Sequence, residues 1–409
     1  MQRPKSTAMI WLMWGLASFF YAYQYIIRVL PNIMMLDILE RFQIDAAIFG
    51  QYSGFYYIGY AGMHIPVGIL LDKYGPKWVL PACMALTVVG LLPLIYAEHW
   101  LYPSLGRILI GMGSSAAILG VFKVIRMCFP EEKFPFMLGL SVMVGLLGAI
   151  YGGQPVNYMI HQFGSDAVIH GIILVGFLLA MATVWIIPNH AASENTKGWF
   201  DSVKAVLSQW RIMSVCILAG FMVGPLEGFA DVWGKEYLKT VYQLNEALAA
   251  SLPSLIFIGM CFGSPVLSYL ASKTKAYYEF IILSAIVMGS AFVFLLTGTV
   301  PTAALTVLFV GVGIFCAYQI LAIYLASTYV KEELVGLTTA CANMIIMIFG
   351  YVFHSVIGNV MDSQWSGQML NGIPVYDANN YTNALMIVPI GLILGGVGYI
   401  ILRFTAKPK

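Results

Sequence analysis

The chain has 409 residues, 60% of them hydrophobic and only 10% charged, with 21 basic against 19 acidic side chains. A soluble protein carries about 25% charged residues to face water, so most of this surface must face lipid. A net charge of +2 provides no basic surface for nucleic acid, and no such partner is expected.

A bilayer core about 30 Å thick needs about 20 apolar residues per helix. Runs of that kind fall at 8–35, 46–71, 77–96, 101–128, 135–160, 167–188, 209–234, 246–271, 278–298, 302–329, 335–361 and 383–404. The first run is too long for a signal peptide and lacks a small-residue cleavage site, so it reads as a retained helix. The six cysteines lie in apolar stretches without metal-ligand spacing, which argues against disulfides and zinc. The expected fold is an all-α membrane protein of twelve transmembrane helices. The longest polar interval, 189–208, reads as a cytoplasmic linker between a six-helix bundle at 1–188 and another at 209–409.

Basic residues set the orientation. With both termini cytoplasmic, Arg3, Lys5, Lys73, Lys77, Arg126, Lys133, Lys197, Lys204, Arg211, Lys273, Lys275, Lys331, Arg403, Lys407 and Lys409 fall on the inner side. Arg41, Lys235 and Lys239 fall on the outer side.

The halves repeat at an offset near 200 residues. Pro66-Val67 matches Pro265-Val266, Gly111-Met112-Gly113 matches Gly311-Val312-Gly313, and Glu131-Glu132 matches Glu332-Glu333. Parallel six-span repeats are a transporter architecture, with the solute site at the repeat interface near the midplane.

The loop after the second run reads Gly68-Ile69-Leu70-Leu71-Asp72-Lys73-Tyr74-Gly75-Pro76-Lys77. It resembles the major facilitator superfamily signature G-x-L-x-D-[RK]-x-G-[RK]-[RK], with Pro76 at the first of the two final basic positions. The resemblance implies a conformational latch of Asp72, Lys73, Gly75 and Arg126, in which Arg126 is the expected partner of Asp72. Arg107-x-x-x-Gly111-x-Gly113 is similar to the family's span-four pattern. Gly148-Ala149-Ile150-Tyr151-Gly152-Gly153 resembles the antiporter motif G-P-x-x-G-G, but its proline is Ala149, which weakens an antiporter assignment; close helix packing is the alternative role for these glycines. The stretch Phe19 to Pro31 resembles the first span of the phagosomal amino-acid and nucleoside transporter group of intracellular bacterial pathogens.

Ionisable groups inside spans cost about 2.5–3.5 kcal/mol to insert and are functional hypotheses by default. Arg28 and Arg107 lie in the outer half of the N-terminal bundle, Glu227 and Asp231 in that of the C-terminal bundle. Polar stripes accompany them: Tyr21, Gln24 and Arg28; Ser53, Tyr57, Tyr60 and His64; Gln154, Asn157 and His161; Thr339, Asn343, Gly350 and His354; and the pair Tyr318 and Gln319. The expected substrate-binding set is Arg28, Gln24, Tyr21, Tyr57, Arg107, Glu227, Tyr318 and Asn343. The expected proton-coupling set is Glu227, Asp231, His64 and His354. A zwitterion would satisfy both charge sets. In the competing reading the same charges pair with one another as an outer gate.

No G-x-x-x-x-G-K-[ST] loop, nucleotide fingerprint, exposed catalytic triad or metal cluster is present, so neither an enzyme nor a cofactor is expected. The expectation is a monomeric secondary transporter in a bacterial inner membrane. It would move a small polar solute, an amino acid first, with protons or another coupling ion. Organic-anion, organophosphate and siderophore carriers are the alternatives, and a non-transporting sensor of this fold is the alternative of a different class.

Overall fold

A computed structural model describes residues 6–188, 199–331, 334–370 and 372–405. Arg3, Lys5, Lys197, Lys407 and Lys409, the first ten residues of the 189–208 linker, and Glu332-Glu333 of the repeat lie outside the described residues.

Span one is α1 (Thr7–Phe42), which holds Pro31 and a non-helical backbone at Met34. Span two is α2 (Ala46–Tyr74) and span three α3 (Pro76–Tyr96). Span four is α4 (Leu101–Ser114) continued by α5 (Ala116–Cys128). Span five is α6 (Phe134–Gly152) with α7 (Gln154–Phe163), and span six α8 (Ser165–Ile186). A short α9 (Trp199–Leu207) precedes span seven, which is built from α10 (Trp210–Phe221), a π-helical turn (Gly224–Trp233) and α11 (Gly234–Val241). Span eight is α12 (Glu246–Ser251) with α13 (Ser254–Thr274), and span nine α14 (Tyr277–Leu296). Span ten is α15 (Thr302–Cys316) with α16 (Tyr318–Ser327), and span eleven α17 (Val335–Ser363). An antiparallel hairpin of β1 (Met369–Leu370) and β2 (Ile373–Pro374) leads to α18 (Ala378–Leu385) and α19 (Ile387–Thr405), which form span twelve.

Among the described residues, ten helices are long and apolar enough to cross a membrane, and an eleventh forms if the bent pair in span five is counted as one. That pair breaks by 40° at Gly153. The twelve runs of the sequence therefore exceed the helices that pass on hydropathy. The difference is physical: α2 has 29 residues, but tyrosines, Gln51, Ser53 and His64 dilute its apolar character.

Two compact units are present: Met1–Val29 with Phe55–Lys197, and Leu30–Gly54 with Gly198–Lys409. The ends of α1 and α2 nearest the loop that joins them thus belong to the second unit.

The repeat is sharper in the backbone than in the sequence. Gln43 and Gln243 both adopt positive φ, 50° and 53°. Each side-chain amide donates to the carbonyl three residues back, Glu40 and Thr240, at 2.7 Å. Two residues on, Asp45 accepts from the Ile48 amide and Asn245 from the Leu248 amide, capping spans two and eight. Gly59 and Gly259 repeat as well. A Cβ on either would lie 2.1 Å from a carbonyl oxygen, of Ile108 in one half and of Val310 in the other. Of the glycines matched by sequence, Gly313 packs on Ile256, but Gly311 meets nothing within 4 Å.

Candidate functional site

In the first unit, α1 and α2 bring a cluster of phenols around the two arginines. The Arg28 Cζ lies 5.1 Å from the Tyr25 ring centroid and 5.5 Å from that of Tyr57. Both distances are within cation–π range. Arg28 is 6% exposed. Its place on α1, one turn after Gln24, follows from helical spacing. The Gln24 Oε1 accepts from the Tyr56 hydroxyl at 2.7 Å, and Tyr21 meets Tyr25 edge to face. Further along α2, Tyr56 stacks on Tyr60 and Tyr60 stacks on His64. The buried His64 Nδ1 has no hydrogen-bond partner among the described residues.

Arg107 takes a different position from Arg28. Its Nη1 donates to the Ile27 carbonyl at 3.0 Å and its Nη2 to the Arg28 carbonyl at 3.4 Å. Its Cζ lies 5.3 Å from the Tyr56 ring centroid. Tyr56, which sequence spacing did not single out, is thus the hub of this cluster: its hydroxyl fixes Gln24 and its ring faces Arg107. Its signal in the sequence was only the Tyr56-Tyr57 doublet.

In the second unit, Glu227 and Asp231 are fully buried on the π-helical turn. His354 on α17 contacts the Glu227 backbone carbonyl through Nε2 at 2.5 Å. This brings two members of the expected proton-coupling set together. Tyr318 is fully buried, and its hydroxyl donates to the Ala219 carbonyl at 2.8 Å, so it ties α16 to α10. Asn343 is half-buried on α17. At one end of this unit Lys235 contacts Glu246 and donates to the Ile33 carbonyl at 2.9 Å. Lys239 bridges Glu246 at 2.8 Å and Glu236 at 3.4 Å. These four charges, two of each sign, form a network that spacing along the chain does not reveal.

The latch needs a correction. Asp72 pairs with Lys123 at 2.7 Å and not with Arg126. Arg126 instead lies over the Phe134 ring, 5.4 Å from its centroid. Lys123 sits three residues, nearly one turn, before Arg126 on α5, and from that position its ammonium reaches Asp72 near the α2 terminus. Lys73 lies over Tyr74. Gly75 has φ 78° and ψ 166°, a conformation that only glycine adopts readily. Pro76 follows at the start of α3, where a missing N–H costs nothing; this accounts for proline at a position where the signature is basic.

The antiporter-like glycines serve packing. A Cβ on Gly148 would lie 2.1 Å from the Ala22 carbonyl oxygen, and one on Gly152 would lie 2.5 Å from Val29 Cγ2, so α6 rests directly on α1.

Residues 9–354 match the profile of the Major Facilitator Superfamily. A putative metabolite transport protein, NicT, of Pseudomonas putida is 24% identical over 44% of this chain, and the chain spans only 43% of that protein. The hexuronate transporter of Bacillus subtilis is 22% identical, with 86% of this chain and 89% of that protein covered. The crystal structure of the nucleoside transporter NupG superposes with a TM-score of 0.75 at 15% identity, over 98% of this chain and all of that one. With its apolar helices and charged intramembrane groups, the chain is a multi-pass transporter of a small solute and not an enzyme, and it belongs to the Major Facilitator Superfamily.

Proposed function

We propose that the protein carries a small carboxylate-bearing solute, an amino acid or similar zwitterion first, by proton-coupled symport. The observation that carries this reading is Arg28, buried between the Tyr25 and Tyr57 rings. A guanidinium fork suits a carboxylate, and the two rings hold the fork flat. Gln24, Tyr21 and Tyr57 complete the contact. Glu227 and Asp231 take a cationic group or a proton, and His354 and His64 relay protons. In this reading Arg107 supports the backbone of α1. The halves 1–188 and 209–409 alternate access by rocking against each other in a bacterial inner membrane, with both termini cytoplasmic and the chain acting as a monomer. The Asp72–Lys123 pair closes the cytoplasmic side.

A thermal-shift screen against amino acids, nucleosides, organic phosphates and siderophores tests the solute. Uptake of any hit into proteoliposomes, with and without a pH gradient, then tests the coupling. Stabilisation by a phosphate ester but by no amino acid would overturn the solute class, and uptake indifferent to the gradient would overturn proton coupling. A second reading, an organic-anion carrier, is favoured by the relationship to a hexuronate transporter and predicts uptake of sugar acids instead. Absence of flux for every stabilising compound would leave the sensor reading.

A further inference from the structure

The π-helical turn of span seven is completed by a side chain from α1. Within the turn, the Gly234 N–H donates to the Phe229 carbonyl, five residues back. The next bond of that register would join the Lys235 N–H to the Ala230 carbonyl. In its place stands the carboxamide of Asn32. Its Nδ2 donates to the Ala230 carbonyl at 3.1 Å, and its Oδ1 accepts from the Lys235 amide at 3.1 Å. Asn32 and Lys235 are each 4% exposed and Ala230 1%.

We propose that Asn32 is a positioning residue that holds the register of span seven, and through it the placement of Glu227 and Asp231. An asparagine is suited to this because one short side chain supplies a donor and an acceptor side by side, so it can be inserted into a backbone pair and satisfy both members. The neighbouring bond from Lys235 Nζ to the Ile33 carbonyl fixes the same stretch of α1. Pro31, immediately before Asn32, and the non-helical backbone at Met34 bend α1 here, which turns the Asn32 side chain toward span seven.

The consequence is directional. When Asn32 is withdrawn, the Ala230 carbonyl and the Lys235 amide lose their partners in a buried segment, where unpaired backbone groups are strongly disfavoured. They can re-pair only by moving one residue, the Ala230 carbonyl to the Gly234 amide and the Lys235 amide to the Asp231 carbonyl. This takes the Gly234 amide from the Phe229 carbonyl, so the new pairing is weaker and the Lys235 amide opens more often. One residue of helical register is a rotation of about 100°. A shift of that size re-aims the carboxylates of Glu227 and Asp231. The contact between α1 and span seven thereby sets which way the acidic groups face. The proposal relies on the suggested coupling role of those groups only for its functional consequence, and its test reads the backbone directly.

The test is amide-resolved hydrogen exchange on the full chain in lipid nanodiscs, with Asn32→Leu and Asn32→Asp. Leucine keeps the volume and removes both bonds, whereas aspartate keeps an oxygen for the Lys235 amide. The expected result is exchange at the Lys235 amide about tenfold faster in Asn32→Leu, near wild type in Asn32→Asp, and unchanged in both for the amides of α10. Equal protection at Lys235 in wild type and Asn32→Leu, or equal acceleration in the two variants, would overturn the bridge. The register is read in parallel by thiol labelling with a small methanethiosulfonate cation of the Glu227→Cys variant, with and without Asn32→Leu. A several-fold change in labelling rate is expected, and identical rates would overturn the positioning role.

Discussion

Arg107 supplies a hydrogen bond that Pro31 withholds. A proline in a helix leaves the carbonyl four residues back without its backbone donor, and for Pro31 that carbonyl belongs to Ile27. The Arg107 Nη1 donates to it at 3.0 Å, and Nη2 continues to the Arg28 carbonyl. The bend in α1 and the buried arginine of span four therefore explain each other. The carbonyl of Arg28, the residue proposed to bind solute, is held by the same guanidinium.

This pairing predicts a non-additive cycle. Arg107→Gln leaves the Ile27 carbonyl under-satisfied in a buried site and should destabilise the protein by about 1–3 kcal/mol. In a Pro31→Ala background the backbone N–H returns to that carbonyl, so the cost of Arg107→Gln should fall by at least half. Thermal unfolding of the four proteins checks this. Additive losses would show that the guanidinium does not replace the missing bond.

The aromatic cage predicts a split between ring and hydroxyl at Tyr57. Tyr57→Phe keeps the ring beside Arg28 and should leave solute affinity within about threefold, whereas Tyr57→Leu removes a cation–π contact of about 0.5–2 kcal/mol and should weaken it several-fold. Arg28→Lys should weaken binding more than either, because a point charge cannot replace a planar fork. Binding isotherms for the solute found by thermal shift read all three.

The corrected latch predicts which cation couples to Asp72. The Asp72 side chain is 67% exposed and that of Lys123 20% exposed, so the pair contributes at most about 1 kcal/mol to stability. A double-mutant cycle of Asp72→Asn with Lys123→Met should show a small coupling that weakens with added salt. The same cycle with Arg126→Met should show none.

Glycines at equivalent places in the repeat should divide by contact. Gly59→Ala and Gly259→Ala each place a Cβ about 2.1 Å from a carbonyl oxygen of the neighbouring span, and separating the helices should cost about 1–3 kcal/mol. Gly311→Ala meets nothing within 4 Å and should be neutral, or stabilising by up to about 1 kcal/mol through helix propensity. Thermal unfolding in detergent separates the two outcomes.

The membrane fold was legible from composition because lipid imposes one rule on the whole chain: long apolar runs, with charges at the ends. The Asp72 to Lys77 turn was legible because Gly75 must adopt a backbone that other residues avoid. Arg28, Glu227 and Asp231 stood out because charge is rare inside spans. Those features are local to a few residues of chain. The partner of Asp72, the bond from Arg107 to Ile27 and the bridge from Asn32 to span seven were not legible. Each joins residues from 51 to 203 positions apart, and the sequence around them carries no mark of the partner. Asn32 and Tyr56 are ordinary polar residues in polar-aromatic stretches. Only the approach of another helix turns one into a replacement for backbone hydrogen bonding and the other into the hub between Gln24 and Arg107. Solvent chemistry along the chain was thus determined by sequence alone, and the pairing of buried polar groups was decided by tertiary structure, because hydrogen bonds depend on position and direction that linear spacing does not carry.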